Sequence, residues 1–125
     1  MSLRVLPMRR RNDEGFSTIT GAAVIAALAS VLVGVLYVGV AVVARHRAQS
    51  AADLGALAAA SAHVLGDDGC AAAKELLASA DGRPRITSCT VDGQDVVLRV
   101  AVSVRLGGLG VRDAVAAARA GPVEE

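Results

Sequence analysis

Residues 15–44 read GFSTITGAAVIAALASVLVGVLYVGVAVVA, thirty residues in which the phenol of Tyr37 is the sole ionisable side chain. Coiled as a helix at about 1.5 Å per residue, the run is roughly 45 Å long against a hydrocarbon layer of about 30 Å. It therefore spans with length to spare. Phe16 and the Ile, Leu and Val residues between Ile19 and Val43 number 14, and on insertion scales they favour membrane entry by roughly 4–8 kcal/mol before the cost of the small residues. A buried helix of this kind in a soluble protein needs a large protein around it. With 125 residues and 12.6 kDa, this chain has room for one small domain beside the run.

Composition points the same way. Apolar residues make up 54% and mean hydropathy is +0.51, yet aromatics are 2%, namely Phe16 and Tyr37. Most of the apolar content is Ala and Val, poor material for a soluble core. Net charge is +1, so no overall field recruits nucleic acid or an acidic partner. Cys70, Cys89, His46 and His63 lack the ligand spacing of a zinc site, which argues against a metalloenzyme.

Ahead of the apolar run, residues 1–14 form a polar, basic leader with Arg4, Arg9, Arg10, Arg11, Asp13 and Glu14. Behind it, Arg45–Leu65 is Ala-rich, contains no Pro and only Gly55 of the helix-weakening residues, and extends the helix past the membrane. Within it Ala48, Ala52, Gly55, Ala59 and Ala62 recur at steps of four and three, while Leu54, Leu57 and Leu65 form an adjacent stripe. Gly66, Asp67, Asp68 and Gly69 stop this helix, and a second, short helix is expected over Ala71–Ala80.

After Pro84 the period becomes two. Arg85–Val91 is rich in β-branched residues, Asp92-Gly93 supplies a turn, and Val96, Leu98, Val100, Val102 and Val104 alternate with the residues between them. A hairpin with one apolar face is the reading. Gly107, Gly108 and Gly110 break its second strand. Residues 111–120 fit either a helix or a third strand, with the alanines favouring the helix. Gly121 and Pro122 release an acidic tail. The expected fold class is α+β, divided into leader 1–15, transmembrane helix 16–44, helical continuation 45–66, small α+β domain 67–121 and tail 122–125.

The junction Arg9-Arg10-Arg11-Asn12-Asp13-Glu14-Gly15-Phe16 sets a short charged segment against an apolar helix at a glycine followed by an aromatic. Here the chain resembles type IV prepilins and, more closely, the TadE/TadG-like pilus-assembly pseudopilins. The resemblance implies that a prepilin peptidase cuts between Gly15 and Phe16. An ordinary basic flank on a signal anchor is the alternative. Arg45-His46-Arg47-Ala48-Gln49-Ser50-Ala51-Ala52-Asp53-Leu54-Gly55-Ala56-Leu57-Ala58-Ala59-Ala60 is similar to the post-membrane part of TadE-like proteins, and Ala118-Arg119-Ala120-Gly121-Pro122 is also similar to that group. One departure stands out. Pilins of the type IV class carry a glutamate at the fifth mature position, where it neutralises a neighbour's N-terminal amine; here that position is Thr20. A buried amine without a carboxylate is costly, which favours a minor or assembly component over a major pilin.

Ala22, Ala26, Ser30 and Gly34 recur every four residues and form a strip where another helix backbone could approach closely; any Ala-rich span can also contain such a strip by chance. Cys70 and Cys89 enclose 18 residues. Bridged in an oxidising space they would stabilise the small domain by about 3 kcal/mol on the chain-entropy model; the alternative is two unpaired buried thiols. For catalysis the sequence offers little: His46 and His63 read as surface residues without a triad partner, Asp53 as part of the polar face one turn from Gln49, and the glycines after the second strand lack phosphate-loop spacing.

The resulting expectation is a structural, single-pass membrane protein of the inner or plasma membrane, leader inside and terminal domain outside. It is not an enzyme and has no cofactor, nucleic-acid partner or small-molecule substrate. Its implied partners are the membrane, a prepilin peptidase, other Tad pseudopilins and the assembly platform. Two rivals make different demands. A secreted domain would use Ala27-Leu28-Ala29 before Ser30 as a signal-peptidase site and leave Val31–Val43 exposed; a single-pass anchor or regulatory subunit would not be processed.

Overall fold

The computed structural model describes residues 6–123, with side chains from Gly15 onward. Arg4, Glu124 and Glu125 lie outside the described residues, as do the side chains of Arg9, Arg10, Arg11, Asp13 and Glu14. In order, the elements are α1 (Leu6–Val64), α2 (Gly69–Ala78), β1 (Arg85–Asp92), β2 (Asp95–Arg105), a 3-10 turn at Gly107–Leu109, and β3 (Val111–Ala120). The class is α+β. Two compact units divide the chain, Met1–Val38 and Gly39–Glu125.

In the first unit, helix is the described secondary structure, and every described side chain on it is exposed. Two of its hydroxyls bond back one turn: Thr20 Oγ1 donates to the Phe16 carbonyl at 2.9 Å and Ser30 Oγ to the Ala26 carbonyl at 2.8 Å. A hydroxyl held this way needs no water, which suits it to an apolar surrounding.

In the second unit, the later part of α1 packs on one face of a three-stranded antiparallel sheet of order β1-β2-β3. The strand alternation works as its period implies: Val96, Leu98, Val100, Val102 and Val104 are all buried. Opposite them on α1 sit Ala48, Ala51, Ala52, Ala56, Ala59 and Ala60. With so few large side chains available, a dry core forms only if backbones come close, and alanine faces allow that. Gly55 carries this furthest, since a Cβ there would run into Leu98 Cδ2 and touch Leu77. The leucines take the other side: Leu54, Leu57 and Leu65 are exposed.

Helix α1 ends in a Schellman turn, with Gly66 at φ +83°, its N–H bonded to the His63 carbonyl, and the Asp67 N–H bonded to the Ala62 carbonyl at 2.9 Å. Helix α2 begins two residues earlier than expected and ends two earlier. The cause is Asp68, whose carboxylate accepts from the Ala71 N–H at 3.2 Å and so fixes the N-terminus. Ala73 and Leu77 bury its inner face. A disulfide joins Cys70 on α2 to Cys89 on β1.

Residues 111–120 form a strand, not the helix their alanines favour. Strand β3 pairs with β2 over its whole length, from Val96↔Ala120 to Arg105↔Val111. Without it, one edge of β2 would present a row of unpaired N–H and C=O groups beside the core. Local propensity is outweighed by that ladder, and small side chains on the inner face of β3 (Ala116 is buried) match the close approach of α1. The domain is thus a three-stranded sheet with a short helix rather than a hairpin with a helix.

Candidate functional site: the uncovered apolar helix

Sequence expectation places the functional surface on the apolar run, and there the side chains are laid open. Phe16 is 75% exposed, Ile25 69% and Leu28 65%. Within Gly15–Val64, the most apolar window has a mean hydropathy of 2.5 and none of it is buried, so this helix is long and apolar enough to cross a membrane. A patch of that size left to water would be far beyond what a soluble monomer tolerates.

Gly15 and Phe16 lie on the helix, both exposed, and a Cβ at Gly15 would meet no other atom within 4 Å. Ala22, Ala26, Ser30 and Gly34 are exposed at four-residue steps along one side. Gly34 likewise has open space where a Cβ would stand. The Ser30 hydroxyl is turned onto its own strip through the Ala26 carbonyl, so the strip presents methyl groups and backbone rather than a free donor.

The second unit gives several polar residues structural work. His63, read from sequence as a surface residue, is half-buried and places Nε2 3.0 Å from the Gly93 carbonyl. A carbonyl only accepts, so Nε2 carries the proton and ties the end of α1 to the β1–β2 turn. His46 is exposed. Gln49 Nε2 donates to Asp53 Oδ1 at 2.9 Å and reaches toward the Ala117 carbonyl of β3 at 3.5 Å. On the outer sheet face Arg85, Ser103 and Asp113 form a rung across all three strands, with Arg85 Nη2 2.9 Å from Asp113 Oδ1. At the opposite end Arg119 Nε donates to Asp95 Oδ2 at 2.7 Å. That hydrogen bond, followed by the charges of Asp95 and Asp92 acting against desolvation, raises the Arg119 pKa above the ordinary arginine value. Arg119 is cationic throughout the accessible pH range. Sequence reasoning missed these cross-strand pairs because they depend on register, which composition does not reveal.

Among the described residues, no three His, Cys, Asp or Glu side chains gather where a metal ion could be held. No curated protein and no solved structure matches the chain. A family-model match takes in the apolar run and most of the Ala-rich extension, and ends before α2 and the sheet; Ala118–Pro122 falls outside it. Residues 15–62 match the model of the TadE/G-like family of Flp pilus assembly, a family of assembly components rather than a class of enzymes, and over this segment the chain is similar to that family.

Proposed function

We propose that the chain is a membrane-anchored TadE/TadG-like pseudopilin, a structural or assembly component of a Flp/Tad-type pilus or related secretion apparatus, with no catalytic role and no cofactor. The observation that carries the reading is the coincidence of two features. The family match begins at Gly15, the last residue before an aromatic and a charge-free run, and the most apolar window of the helix that follows has none of its residues buried. A helix so apolar demands either lipid or other helices around it.

The mechanism has three steps. The apolar helix inserts with Arg4, Arg9, Arg10 and Arg11 retained on the cytoplasmic side, which leaves residues 45–121 outside, where Cys70 and Cys89 meet an oxidising space. A prepilin peptidase then cleaves the Gly15–Phe16 bond; glycine leaves the enzyme close access to the backbone at the membrane face. Other Tad pseudopilins and the assembly platform next pack against the strip Ala22, Ala26, Ser30 and Gly34, where small residues let helix backbones approach. Thr20 has no carboxylate to offer the new amine at Phe16, and its hydroxyl donates to the Phe16 carbonyl. A long filament of such subunits would bury many unneutralised amines, which favours a minor component.

N-terminal sequencing of the protein from its native membrane tests this reading. A mature chain beginning at Phe16 is expected, and Gly15→Leu should abolish the mobility shift of about 15 residues that the peptidase produces. A chain beginning at Ser30 would instead indicate secretion, and one left uncut in both forms a plain anchor.

A further inference from the structure

The loop between β2 and β3 has no part in the proposed assembly strip, and its composition is unlike the other turns. It reads Arg105-Leu106-Gly107-Gly108-Leu109-Gly110-Val111-Arg112: apolar and small residues at the tip with an arginine on either side. Leu109 is 65% exposed and Val111 61%. By contrast, the β1–β2 turn at the other end of the sheet is Asp92-Gly93-Gln94-Asp95, polar throughout.

Its position adds meaning. Ala41 and Arg45 of α1 line one open cleft together with Val104, Leu106, Arg112 and Val115. The loop therefore sits beside the turn of α1 where the apolar run gives out at Ala44 and the first charge, Arg45, appears. His63, near the far end of α1, instead touches the polar turn at Gly93. The sheet thus has an apolar, arginine-flanked end level with the limit of the lipid-compatible helix, and a polar end turned away from it.

Two further observations fit a low-dielectric surrounding. The loop satisfies part of its own backbone: the Leu106 N–H bonds the Gly110 carbonyl at 2.9 Å, and the Leu109 and Gly110 N–H groups bond the Leu106 and Gly107 carbonyls at 3.2 Å. Exposed apolar residues that carry their own hydrogen bonds cost less to bring into an interface. Among the described residues, Arg45, Arg105 and Arg112 make no ion pair with a carboxylate. Each is left to bind an oxyanion, and the planar guanidinium matches a phosphate with two hydrogen bonds.

We propose that this loop is a second membrane contact: Leu106, Leu109 and Val111 enter the interfacial layer of the outer-facing leaflet, and Arg45, Arg105 and Arg112 hold lipid phosphates around them. Bound so, the sheet-bearing unit has a second point of attachment to the bilayer that α1 crosses. Apolar insertion plus basic residues at the rim is the general recipe for interfacial attachment. The proposal rests on the membrane-spanning reading of α1.

The test uses the full chain reconstituted in phosphatidylcholine vesicles with a minor share of phosphatidylglycerol, some lipids carrying a nitroxide near the head of the acyl chain. Environment-sensitive dyes are attached at Leu109→Cys, Gln94→Cys and Leu32→Cys in turn; Cys70 and Cys89 are already bonded to each other. Quenching of the Leu109 dye is expected to exceed that at Gln94 by about twofold or more, and R105E/R112E should cut that excess at least about twofold. Leu32 quenched with Leu109 no more affected than Gln94 would overturn the loop contact while leaving the span intact. An unquenched Leu32 would bring down both. Shielding of Leu109 that appears in lipid-free detergent and grows with protein concentration would mean a second copy covers the loop, which also overturns the proposal.

Discussion

Glycine does three different jobs in this chain, and neighbouring atoms tell them apart. At Gly15, Gly21 and Gly34 a Cβ would meet nothing, so any requirement for glycine there comes from outside the chain. At Gly55 the requirement is internal, because Leu98 and Leu77 fill the space a side chain would need. Gly55→Leu should therefore lower the denaturation midpoint of the sheet-bearing unit, at a cost of about 1–3 kcal/mol for overpacking, whereas Gly21→Leu should leave that midpoint unchanged; circular dichroism in detergent against urea reads both. Gly69 is constrained by backbone rather than by a side chain, since a Cβ would press on the Ala59 carbonyl. That carbonyl belongs to α1 and cannot swing aside as a leucine tip can, so Gly69 holds α2 close to the end of the long helix.

At the level of elements, the least self-sufficient is α2. Ten residues are too few for a helix to persist alone in water, and its inner face contributes Ala73 and Leu77. The Cys70–Cys89 disulfide ties it to β1, and the Asp68 cap fixes its N-terminus. Replacing both cysteines by serine should cost about 3 kcal/mol if loop entropy dominates. Hydrogen exchange would show it as faster exchange at α2 and β1 amides, with the amides of Phe16–Ala44 unchanged. Strand β3 illustrates the opposite case. Its alanines carry little strand preference, yet ten register pairs with β2 hold it, and its inner-face alanines leave room for Ala48 and Ala52 on α1.

For the whole molecule, what counts is that two alanine-rich faces of one helix meet different fates. In Gly39–Glu125 the small face 48/52/55/59 is consumed by the protein's own sheet, and the leucines Leu54 and Leu57 are left outside. In Met1–Val38 the strip Ala22, Ala26, Ser30 and Gly34 is exposed. On the proposed assembly role, Gly34→Ile should reduce co-purification of partner pseudopilins from native membranes several-fold, by roughly the penalty of losing close helix contact. Membrane insertion of the variant, read by carbonate extraction, should be undiminished, because isoleucine favours the bilayer more than glycine does.

The sequence by itself determined the long apolar helix, the α+β class, the first two strands and their turn, and a resemblance that the family match bears out over residues 15–62. These follow from local periodicity and from composition, which each segment carries alone. Tertiary structure decided the rest: that 111–120 is a strand, that α2 starts at Gly69, that His63 bonds the Gly93 carbonyl, and that alanines rather than leucines of the extension face the core. Each of these is settled by a partner distant in the chain. An unpaired strand edge overrides alanine's helical preference, and a sheet of valines with one large leucine can close only on a face thin enough to admit it.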